Sequence, residues 1–385
     1  MTVSDPRTGV PPRPGAARPA ATRITAVEAI PFAVPYRRPA GFASGTVTTA
    51  DNVLVRIHTD AGLVGQAEAQ PRPYTYGETQ VSIVHTVRTA LADLILGLDP
   101  LRTEVVAERC GRIAGNQTAR GAVDLAVWDL VGQILGRPCH TLLGGFAPDV
   151  AAAHMVSFDE PAAMAEEAVA VHERVGVTTF KVKVGRAPEL DVAATRAIRD
   201  ALPGASLYVD ANRGWSYADA LRVAPELVAL GVRAIEEPIS VDDRAGRRRL
   251  AERWPVPLAG DESCISLAHV DRALEEGAVR CVSIKTARTG FTESRRILDL
   301  CLARSTPALV GSQYEGAMGA FATIAFAAAF AATAGRPAEL TNFLDLADDL
   351  VVGPPEIRDG RAAAPDAAGI GVEIDEERLQ RYRVG

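Results

Sequence analysis

Five charged residues recur at nearly constant intervals along the middle of this 385-residue chain. They are Lys183, Asp210, Glu236, Asp261 and Lys285, and successive members are 27, 26, 25 and 24 residues apart. Three carboxylates brought together repel one another, so they either take up protons or bind a cation. Oxygen ligands without His or Cys suit a hard ion, so we expect Mg²⁺, with Mn²⁺ as a second choice.

Lysine is rare in this chain, which makes its positions informative. Of 41 basic residues, 38 are arginine, and the only lysines are Lys181, Lys183 and Lys285. Arginine stays protonated, whereas a buried lysine can lose its proton and act as a base. The alternative is that three lysine codons survived by chance. Because all three lysines fall at similar places in the pattern, we interpret them as candidates for proton transfer.

Each of these residues has a simpler structural reading when taken alone. An Asp at a strand end commonly caps the next helix, Glu236 suits a solvated turn, and Asp261 suits a helix start. Lys181 and Lys183 share one strand face, where a solvated pair is the usual arrangement. The regular spacing of the whole set favours a site.

The intervals match the length of one strand–helix unit. From about residue 150, candidate strands alternate with amphipathic stretches such as 190–201 and 217–230. The eight candidate strands are 153–157, 178–184, 206–209, 234–235, 256–259, 282–284, 308–310 and 340–344. This pattern predicts an α/β fold, a (β/α)₈ barrel, whose C-terminal face carries the five residues. A doubly wound sheet is the alternative, but no glycine-rich phosphate-binding sequence follows the first strand.

The flanking regions read differently from the barrel. Residues 24–30 and 52–59 alternate as antiparallel strands, residues 60–65 form a turn into another short strand, and residues 77–135 are helical. The first 150 residues therefore predict an α+β module, preceded by a disordered tail at 1–22. The last 40 residues are expected to form short strands that return to this module.

Composition excludes several classes of protein. A net charge of −7 disfavours a nucleic-acid surface, and 48% apolar with 23% charged residues indicates a globular chain. Five cysteines without paired spacing fit a reducing, cytoplasmic compartment. The uncharged stretch 316–335 is mostly alanine, and the N-terminus lacks the apolar segment of a signal peptide. We expect neither a membrane span nor a nucleic-acid partner.

Several motifs together resemble one known family. They are Lys181-Val182-Lys183, Asp210-Ala211-Asn212, Glu236-Glu237-Pro238, Gly260-Asp261-Glu262-Ser263, Lys285-Thr286-Ala287-Arg288, Leu142-Leu143-Gly144-Gly145 and the helix at 122–130. Over roughly residues 23–383 the chain resembles the enolase superfamily, in its muconate-lactonizing subgroup. The resemblance implies a modified (β/α)₈ barrel at 150–345, an N-terminal α+β capping domain at 23–149, and a C-terminal segment at 346–385.

The resemblance also implies roles for individual residues. It assigns Mg²⁺ to Asp210, Glu236 and Asp261, with Glu262 as the ambiguous ligand. It makes Lys183 and Lys285 the acid/base pair, with Lys181 assisting, and it places Glu315, the family's glutamate after the seventh strand, among the catalytic residues. The pairing of lysine with Mg²⁺ is a known design of enolase-superfamily sites.

The subgroup and the reaction follow from finer features. No His follows Lys285, which disfavours the mandelate-racemase branch, and residues 339–350 lack the Asp-x-Asp pair of dipeptide epimerases. Residues 289–291 read Thr-Gly-Phe where many relatives have Gly-Gly. We expect a Mg²⁺-dependent muconate cycloisomerase. The alternatives are an o-succinylbenzoate synthase or N-acylamino-acid racemase with the same machinery and, in another class, a non-catalytic metal-binding barrel.

Specificity is expected from two loops of the capping domain, near residues 37–49 and 70–77. A dicarboxylate needs donors for its second carboxylate, and Arg72 is the candidate, with Tyr74 and Tyr76 nearby. The remaining substrate-binding candidates are Asn212, Phe343, Phe42 and Leu344, the last three as an apolar wall. The alternatives are an exposed loop cation for Arg72 and ordinary core for the apolar residues. The expected partners are a small carboxylate substrate and further copies of the chain in a homo-oligomer.

Overall fold

The computed structural model describes residues 22–42 and 45–385, and the capping domain comes first. Its antiparallel sheet has the order β1 (Ile24–Phe42), β2 (Gly45–Thr59) and β3 (Val64–Ala69). The strands predicted near residues 24–30 and 52–59 are confirmed, and the turn at 60–65 leads into β3 as expected. The predicted tail lies, up to residue 21, outside the described residues.

Helices cover this sheet. They are α1 (Gln80–Thr86), a π-helical turn (Val87–Leu91), α2 (Ala92–Ile95), α3 (Thr103–Cys110), α4 (Gln117–Leu135) and α5 (Cys139–Leu143). The predicted helix at 122–130 is the centre of α4, which ends at Gly136 in a left-handed conformation suited to glycine. A Cβ at Gly65 would lie 2.1 Å from the Ala126 carbonyl oxygen, so this glycine lets β3 lie directly on α4.

Eight parallel strands form the barrel. They are β4 (Asp149–Val156), β5 (Thr179–Lys183), β6 (Ser206–Asp210), β7 (Val232–Glu236), β8 (Leu258–Gly260), β9 (Cys281–Ile284), β10 (Ala308–Val310) and β11 (Ala338–Glu339). The ladder runs from β11 through β4 and on, strand by strand, to β10. The first seven predicted barrel strands each overlap an observed strand.

Helices follow the strands on the outside of the barrel. They are α6 (Pro161–Val175), α7 (Pro188–Ala201), α8 (Tyr217–Ala229), α9 (Arg244–Arg253), a 3₁₀ turn (Glu262–Cys264), α10 (Leu267–Glu275), α11 (Thr286–Ala303), α12 (Ala317–Ala329) and α13 (Ala331–Ala334). The predicted helices at 190–201 and 217–230 correspond to α7 and α8. The uncharged stretch at 316–335 contains α12, whose side chains are almost all buried.

The eighth predicted strand, 340–344, is wrong in position. The observed strand, β11, is only two residues long and ends at Glu339. The next residues turn away because Thr341 and Asn342 direct their side chains to hydrogen bonds with His154 and Ser312. Residues Asn342–Asp345 then form a 3₁₀ turn.

Strand register brings the charged residues together at the C-terminal ends of the strands. Lys183 of β5 lies opposite Asp210 of β6, and Asp210 lies opposite Glu236 of β7. Asp261 follows β8 directly, and Lys285 follows β9. The one-unit spacing of the sequence thus becomes a row of neighbouring strand ends.

The C-terminal segment contacts both parts of the molecule. A hairpin of β12 (Ile357–Arg358) and β13 (Arg361–Ala363) pairs with β4 of the barrel, antiparallel to it. The segment reaches β1 through main-chain bonds from Ala347 and from Val384, which follows α14 (Glu376–Tyr382). The short strands therefore pair with the barrel, while the flanking parts of the segment lie on the capping sheet.

Two further observations bear on the sequence analysis. All five cysteines are buried free thiols. Within residues 22–42 and 45–385, none of the helices combines the length and the apolar character needed to cross a membrane.

Candidate active site

A cavity of about 420 Å³ lies between the capping domain and the C-terminal ends of the barrel strands. The capping domain contributes the β1–β2 hairpin from Gly45 to Asp51 and the loop from Pro71 to Tyr76. The barrel contributes Met155, Lys183, Asn212, Asp261, Lys285, Ser312, Gln313 and Tyr314. Both predicted loops and both predicted acid/base lysines thus face one space.

Lys183 is held by two oxygen atoms of the neighbouring strand end. Its Nζ donates to Asp210 Oδ2 and to Asn212 Oδ1, each at 2.7 Å. The Asn212 main-chain N–H donates to Asp210 Oδ1 at 2.9 Å, which ties these two acceptors to each other. Asn212 has a left-handed backbone, φ 41°, a conformation that Asn tolerates better than most residues.

Lys181 lies two residues before Lys183 on β5 and is only 1% exposed. Its Nζ contacts three carboxylates: Glu236 at 2.8 Å, Glu339 at 3.0 Å and Asp210 at 3.2 Å. Burial alone would lower the pKa of Lys181, but these carboxylates outweigh burial and raise it well above the usual value. Lys181 is therefore a buried countercharge for the carboxylate row, and it does not line the cavity.

Lys285 has a partner from the capping domain as well as from the barrel. Its Nζ donates to Asp261 Oδ2 at 2.5 Å and to the Tyr76 hydroxyl at 3.3 Å. Arg288 binds the other oxygen of Asp261 at 2.6 Å and also donates to Tyr76 at 3.0 Å. Burial would raise the pKa of Asp261, but Lys285 and Arg288 hold it far below its usual range.

The carboxylates differ in how well their charges are balanced. Burial would raise the pKa of Asp210, yet Lys183 and Lys181 lower it to about 2. Burial raises the pKa of Glu236 well above its ordinary value, and burial beside Asp261 raises that of Glu262 to about 8. Glu236 Oε2 and Glu262 Oε2 are buried without a hydrogen-bond partner in the described parts of the chain.

These residues fit a hard cation by chemistry. Asp210, Glu236 and Asp261 offer oxygen donors on adjacent strand ends, and the unpartnered oxygen of Glu236 is a donor that a cation would satisfy. As the side chains stand, no three or more His, Cys, Asp or Glu residues within the described ranges are arranged to enclose a metal ion. Lysine and arginine groups instead contact carboxylate oxygens of Asp210 and Asp261.

Glu315 supports the loop after β10 from below. It accepts hydrogen bonds from the Ser312 hydroxyl and from the Gln313 main-chain N–H, and burial raises its pKa. Glu315 is buried and does not line the cavity, whereas Ser312, Gln313 and Tyr314 do. Its position is that of a residue that shapes the cavity wall.

The predicted substrate-binding residues separate into two groups. Arg72 and Asn212 are half-buried and line the cavity, and Tyr74 lines its mouth with 75% of its surface exposed. Phe343 is 6% exposed and packs in the hydrophobic core, outside the cavity lining. In the turn after β11 it therefore lies in the core and not on the cavity wall. Leu344 packs against the same core, and the side chain of Phe42 lies outside what the structure describes.

Three residues of the site were missed or underrated by sequence reasoning. Glu339 ends β11, and the polar-residue-after-strand pattern would have found it had that strand been placed correctly. Arg288 stands one helical turn after Lys285, a spacing that signals a shared face. Tyr76 carries no local signal, because its contact with Asp261 depends on docking a loop of the capping domain onto the barrel.

Comparison with known proteins agrees with this architecture. Residues 24–144 match the family described as mandelate racemase / muconate lactonizing enzyme, N-terminal domain, and residues 163–378 match enolase C-terminal domain-like. The structure of muconate lactonizing enzyme from Mycobacterium smegmatis complexed with muconolactone is 43% identical. It covers 94% of this chain and 100% of that chain, with a TM-score of 0.93.

Other relatives carry different activities. A dipeptide epimerase from Enterococcus faecalis, solved with Mg and the dipeptide L-Leu-L-Tyr, is 28% identical over 91% of this chain and 99% of that chain, with a TM-score of 0.86. An o-succinylbenzoate synthase from Geobacillus stearothermophilus is 30% identical over 88% of this chain and 90% of its own length. Barrel, capping domain and family matches lead to one conclusion: the chain is an enzyme of the enolase superfamily, in the mandelate racemase/muconate lactonizing enzyme family.

Proposed function

We propose that this enzyme is a divalent-metal-dependent cycloisomerase of the muconate-lactonizing type. The observation that carries the proposal is the placement of Lys183 and Lys285 on one cavity. Lys183 ends β5 and Lys285 follows β9, and these strands are four apart in an eight-stranded barrel, so the two lysines stand across it from each other. The similarity to the Mycobacterium smegmatis enzyme supports the choice of substrate class.

The reaction needs one carbon–oxygen bond and one proton. An oxygen of one muconate carboxylate adds to a carbon of the conjugated diene, and the π electron pair moves to the carbon α to the other carboxylate. A lysine ammonium then donates its proton to that carbon and regains one from solvent. Each lysine Nζ faces the cavity with an oxygen partner that holds its position. Which lysine donates decides whether addition is syn or anti.

The carboxylate row would hold the cation that such a reaction uses. Asp210, Glu236 and Asp261 are the ligands we assign, with Mg²⁺ as the ion and Mn²⁺ as a substitute. When bound, the ion would neutralise a substrate carboxylate and lower the energy of the enolate. Lys181 would stay beneath these ligands as a fixed countercharge.

Arg72 suits the second carboxylate of a dicarboxylate substrate. Its guanidinium lines the cavity and is tethered by main-chain oxygens, to Pro71 at 2.9 Å and Tyr314 at 3.3 Å. A planar guanidinium with free N–H groups binds a carboxylate in a bidentate way. We assign Arg72 to substrate recognition on this ground.

A second candidate keeps the machinery and changes the substrate. The similarity to an o-succinylbenzoate synthase and to a dipeptide epimerase favours abstraction of a proton α to a carboxylate. In that reaction one of the two lysines begins as the neutral amine and takes the proton. The same cavity and the same residues would serve both reactions.

The deciding experiment follows cis,cis-muconate with Mg²⁺ by loss of the conjugated-diene absorbance, with an EDTA-treated sample as control. We expect metal-dependent loss with muconolactone as product, and deuterium placement in D₂O reports syn or anti addition. No loss of absorbance, together with α-proton exchange on N-acylamino acids or turnover of succinylbenzoate precursors, would replace the cycloisomerase with the second candidate.

A further inference from the structure

A buried carboxylate outside the cavity joins the two loops that carry Lys183 and Asn212. Asp191 lies in the first turn of α7 and is fully buried, with 0% exposure. Its Oδ2 accepts three hydrogen bonds, from the main-chain N–H of Gly185 at 2.8 Å, that of Arg186 at 3.0 Å, and Trp215 Nε1 at 2.8 Å. Gly185 and Arg186 belong to the loop after β5, and Trp215 belongs to the loop after β6.

The two loops are also in direct main-chain contact, which leaves them little freedom. A Cβ at Gly185, where φ is +108°, would lie 2.3 Å from the Ala211 carbonyl oxygen. A Cβ at Gly214 would lie 2.3 Å from the Gly185 carbonyl oxygen. The main chains of the two loops are therefore in contact at these glycines, and the Asp191 carboxylate is hydrogen-bonded to both loops.

Both loops begin at residues of the candidate active site. Lys183 stands two residues before Gly185, and Asn212 stands three residues before Trp215. Lys183 Nζ donates to Asn212 Oδ1, so the relative position of the loops fixes this contact. Trp215 is buried, and its main-chain N–H is anchored on the Pro238 carbonyl oxygen at 3.1 Å. A change at Asp191 is therefore transmitted to Lys183 through a short, rigid path.

We propose that Asp191 is a positioning residue for Lys183: its carboxylate locks the loops after β5 and β6 together and thereby holds the lysine Nζ in the place required for proton transfer. The inference rests on the proposed function, in which Lys183 is an acid/base group. Asp191 itself touches neither the cavity nor the carboxylate row that we assign to the metal. A small displacement of a reacting group is enough to slow a reaction by about a hundredfold.

The chain's composition offers a direct readout of Lys183. Because only three lysines are present, a protein labelled with ¹³C at lysine Cε gives three lysine side-chain NMR signals. The signals can be assigned by the single replacements Lys181→Arg, Lys183→Arg and Lys285→Arg. This measurement needs neither substrate nor metal, so it reports on the inference separately from the proposed reaction.

The test compares Asp191→Leu, Asp191→Asn and Trp215→Phe with wild type. Asp191→Leu removes the three hydrogen bonds to Oδ2 and the contact of Oδ1 with Arg186 Nε at 3.5 Å. Trp215→Phe removes one donor and keeps an aromatic ring, and Asp191→Asn keeps an oxygen acceptor. We expect the Lys183 signal to move in Asp191→Leu, and less in Trp215→Phe, while the Lys285 signal stays in place. We expect kcat to fall about 100-fold in Asp191→Leu and about fivefold in Trp215→Phe, with Asp191→Asn in between and metal affinity within threefold of wild type.

Ser216→Ala is the matched control. Ser216 follows Trp215 and caps α8 by accepting from the Asp219 N–H. Its loss therefore destabilises the helix but leaves the hydrogen bonds of Asp191 in place. We expect a lower Tm with unchanged Lys183 signal and kcat. The inference fails if the Lys183 signal stays in place in both Asp191→Leu and Trp215→Phe, or if those variants lose only Tm. If wild type is inactive on muconate but the Lys183 signal moves in Asp191→Leu, the proposed reaction is rejected and the role of Asp191 in positioning Lys183 is retained.

Discussion

Lys183 and Lys285 face the same cavity from opposite sides of the barrel, but their surroundings are built differently. Lys183 is held by Asp210 at the end of β6 and by the neutral amide of Asn212 in the loop that follows β6. Lys285 is held by Asp261, and Tyr76 of the capping domain completes its surroundings. Two barrel residues thus bind Lys183, and a capping-domain residue adds to the barrel contact of Lys285.

A shared carboxylate deepens this contrast. Asp261 bonds to Lys285 through one oxygen and to Arg288 through the other, so a permanently charged guanidinium competes for it. Asp210 instead serves two lysines, Lys183 and Lys181, on the same side. In the proposed mechanism, Lys183 is positioned by Asp210 and Asn212, whereas the contacts of Lys285 include Tyr76, which lies in the loop that we assign to substrate recognition.

The largest effects should come from removing the lysines one at a time. We expect Lys183→Ala and Lys285→Ala each to lower kcat by at least 100-fold, because general acid–base groups contribute about 10²–10⁴ in rate. The variant with the larger loss identifies the proton donor. The measurement is steady-state turnover, with deuterium incorporation in D₂O to follow proton delivery.

Arg248→Ala provides the control for these variants, since Arg248 is exposed on α9 and pairs only with the exposed Glu252 among the described residues. Its kcat should equal that of wild type. Circular dichroism should show that the lysine variants remain folded. A folded variant lacking either lysine that retains kcat within threefold of wild type would contradict the assigned roles.

The barrel could be predicted because its pattern is repeated. A strand followed by a helix recurs in each unit of about 25 residues, so each unit supports the assignment of the next. Strands β5 to β10 were all located in this way. The exception is β11, whose two residues carry too little pattern to be placed. The predicted strand therefore began at Leu340, one residue after the observed strand ends, and Glu339 was left out of the site.

The site was predictable where it followed the strand ends and unpredictable where it depended on docking. Lys183, Asp210 and Glu236 occupy one position in successive units, so their proximity follows from register. Tyr76 is 185 residues from Asp261, and no local pattern encodes their contact. Phe343 was expected on an apolar wall of the cavity and lies in the core. Apolar residues near a site are as suited to the core as to a cavity wall, so the sequence did not distinguish the two.

The contrast between the two lysines can be sharpened by removing one polar group from each side. We expect Tyr76→Phe to lower kcat/KM about tenfold, because hydroxyl contacts with Lys285, Arg288 and Asp261 are lost. Asn212→Ala removes the amide partner of Lys183 and should give a comparable loss. The measurement is kcat and KM for each variant.

The two variants should differ in their response to a change in the capping domain. A second substitution in the loop at 70–77, Arg72→Met, should be non-additive with Tyr76→Phe and additive with Asn212→Ala. Additivity in both pairs would show that Lys285 is no more coupled to the capping domain than Lys183 is. That result would contradict the proposed difference between the surroundings of the two lysines.

One expected effect is on stability and not on rate, and it concerns the contact between the capping domain and the start of α12. Glu68 of β3 accepts N–H bonds from Gly316 at 3.2 Å and Gly319 at 3.0 Å, at the start of α12. Burial, reinforced by the nearby Asp349 carboxylate, raises the pKa of Glu68 from 4.5 to about 7. A carboxyl group whose pKa is higher in the folded state contributes its stability below its unfolded pKa and loses it as pH rises through its folded pKa.

Wild type should therefore lose stability relative to Glu68→Gln as pH rises from about 4.5 to 8. The relative change in the free energy of unfolding should reach at most about 3 kcal/mol, because a pKa unit corresponds to about 1.4 kcal/mol. Urea unfolding at several pH values measures it, with the exposed Glu166→Gln as a control that should follow wild type. Parallel pH curves for wild type and Glu68→Gln would show that this contact does not titrate. The stability that the contact between Glu68 and the start of α12 contributes would then be independent of pH in this range.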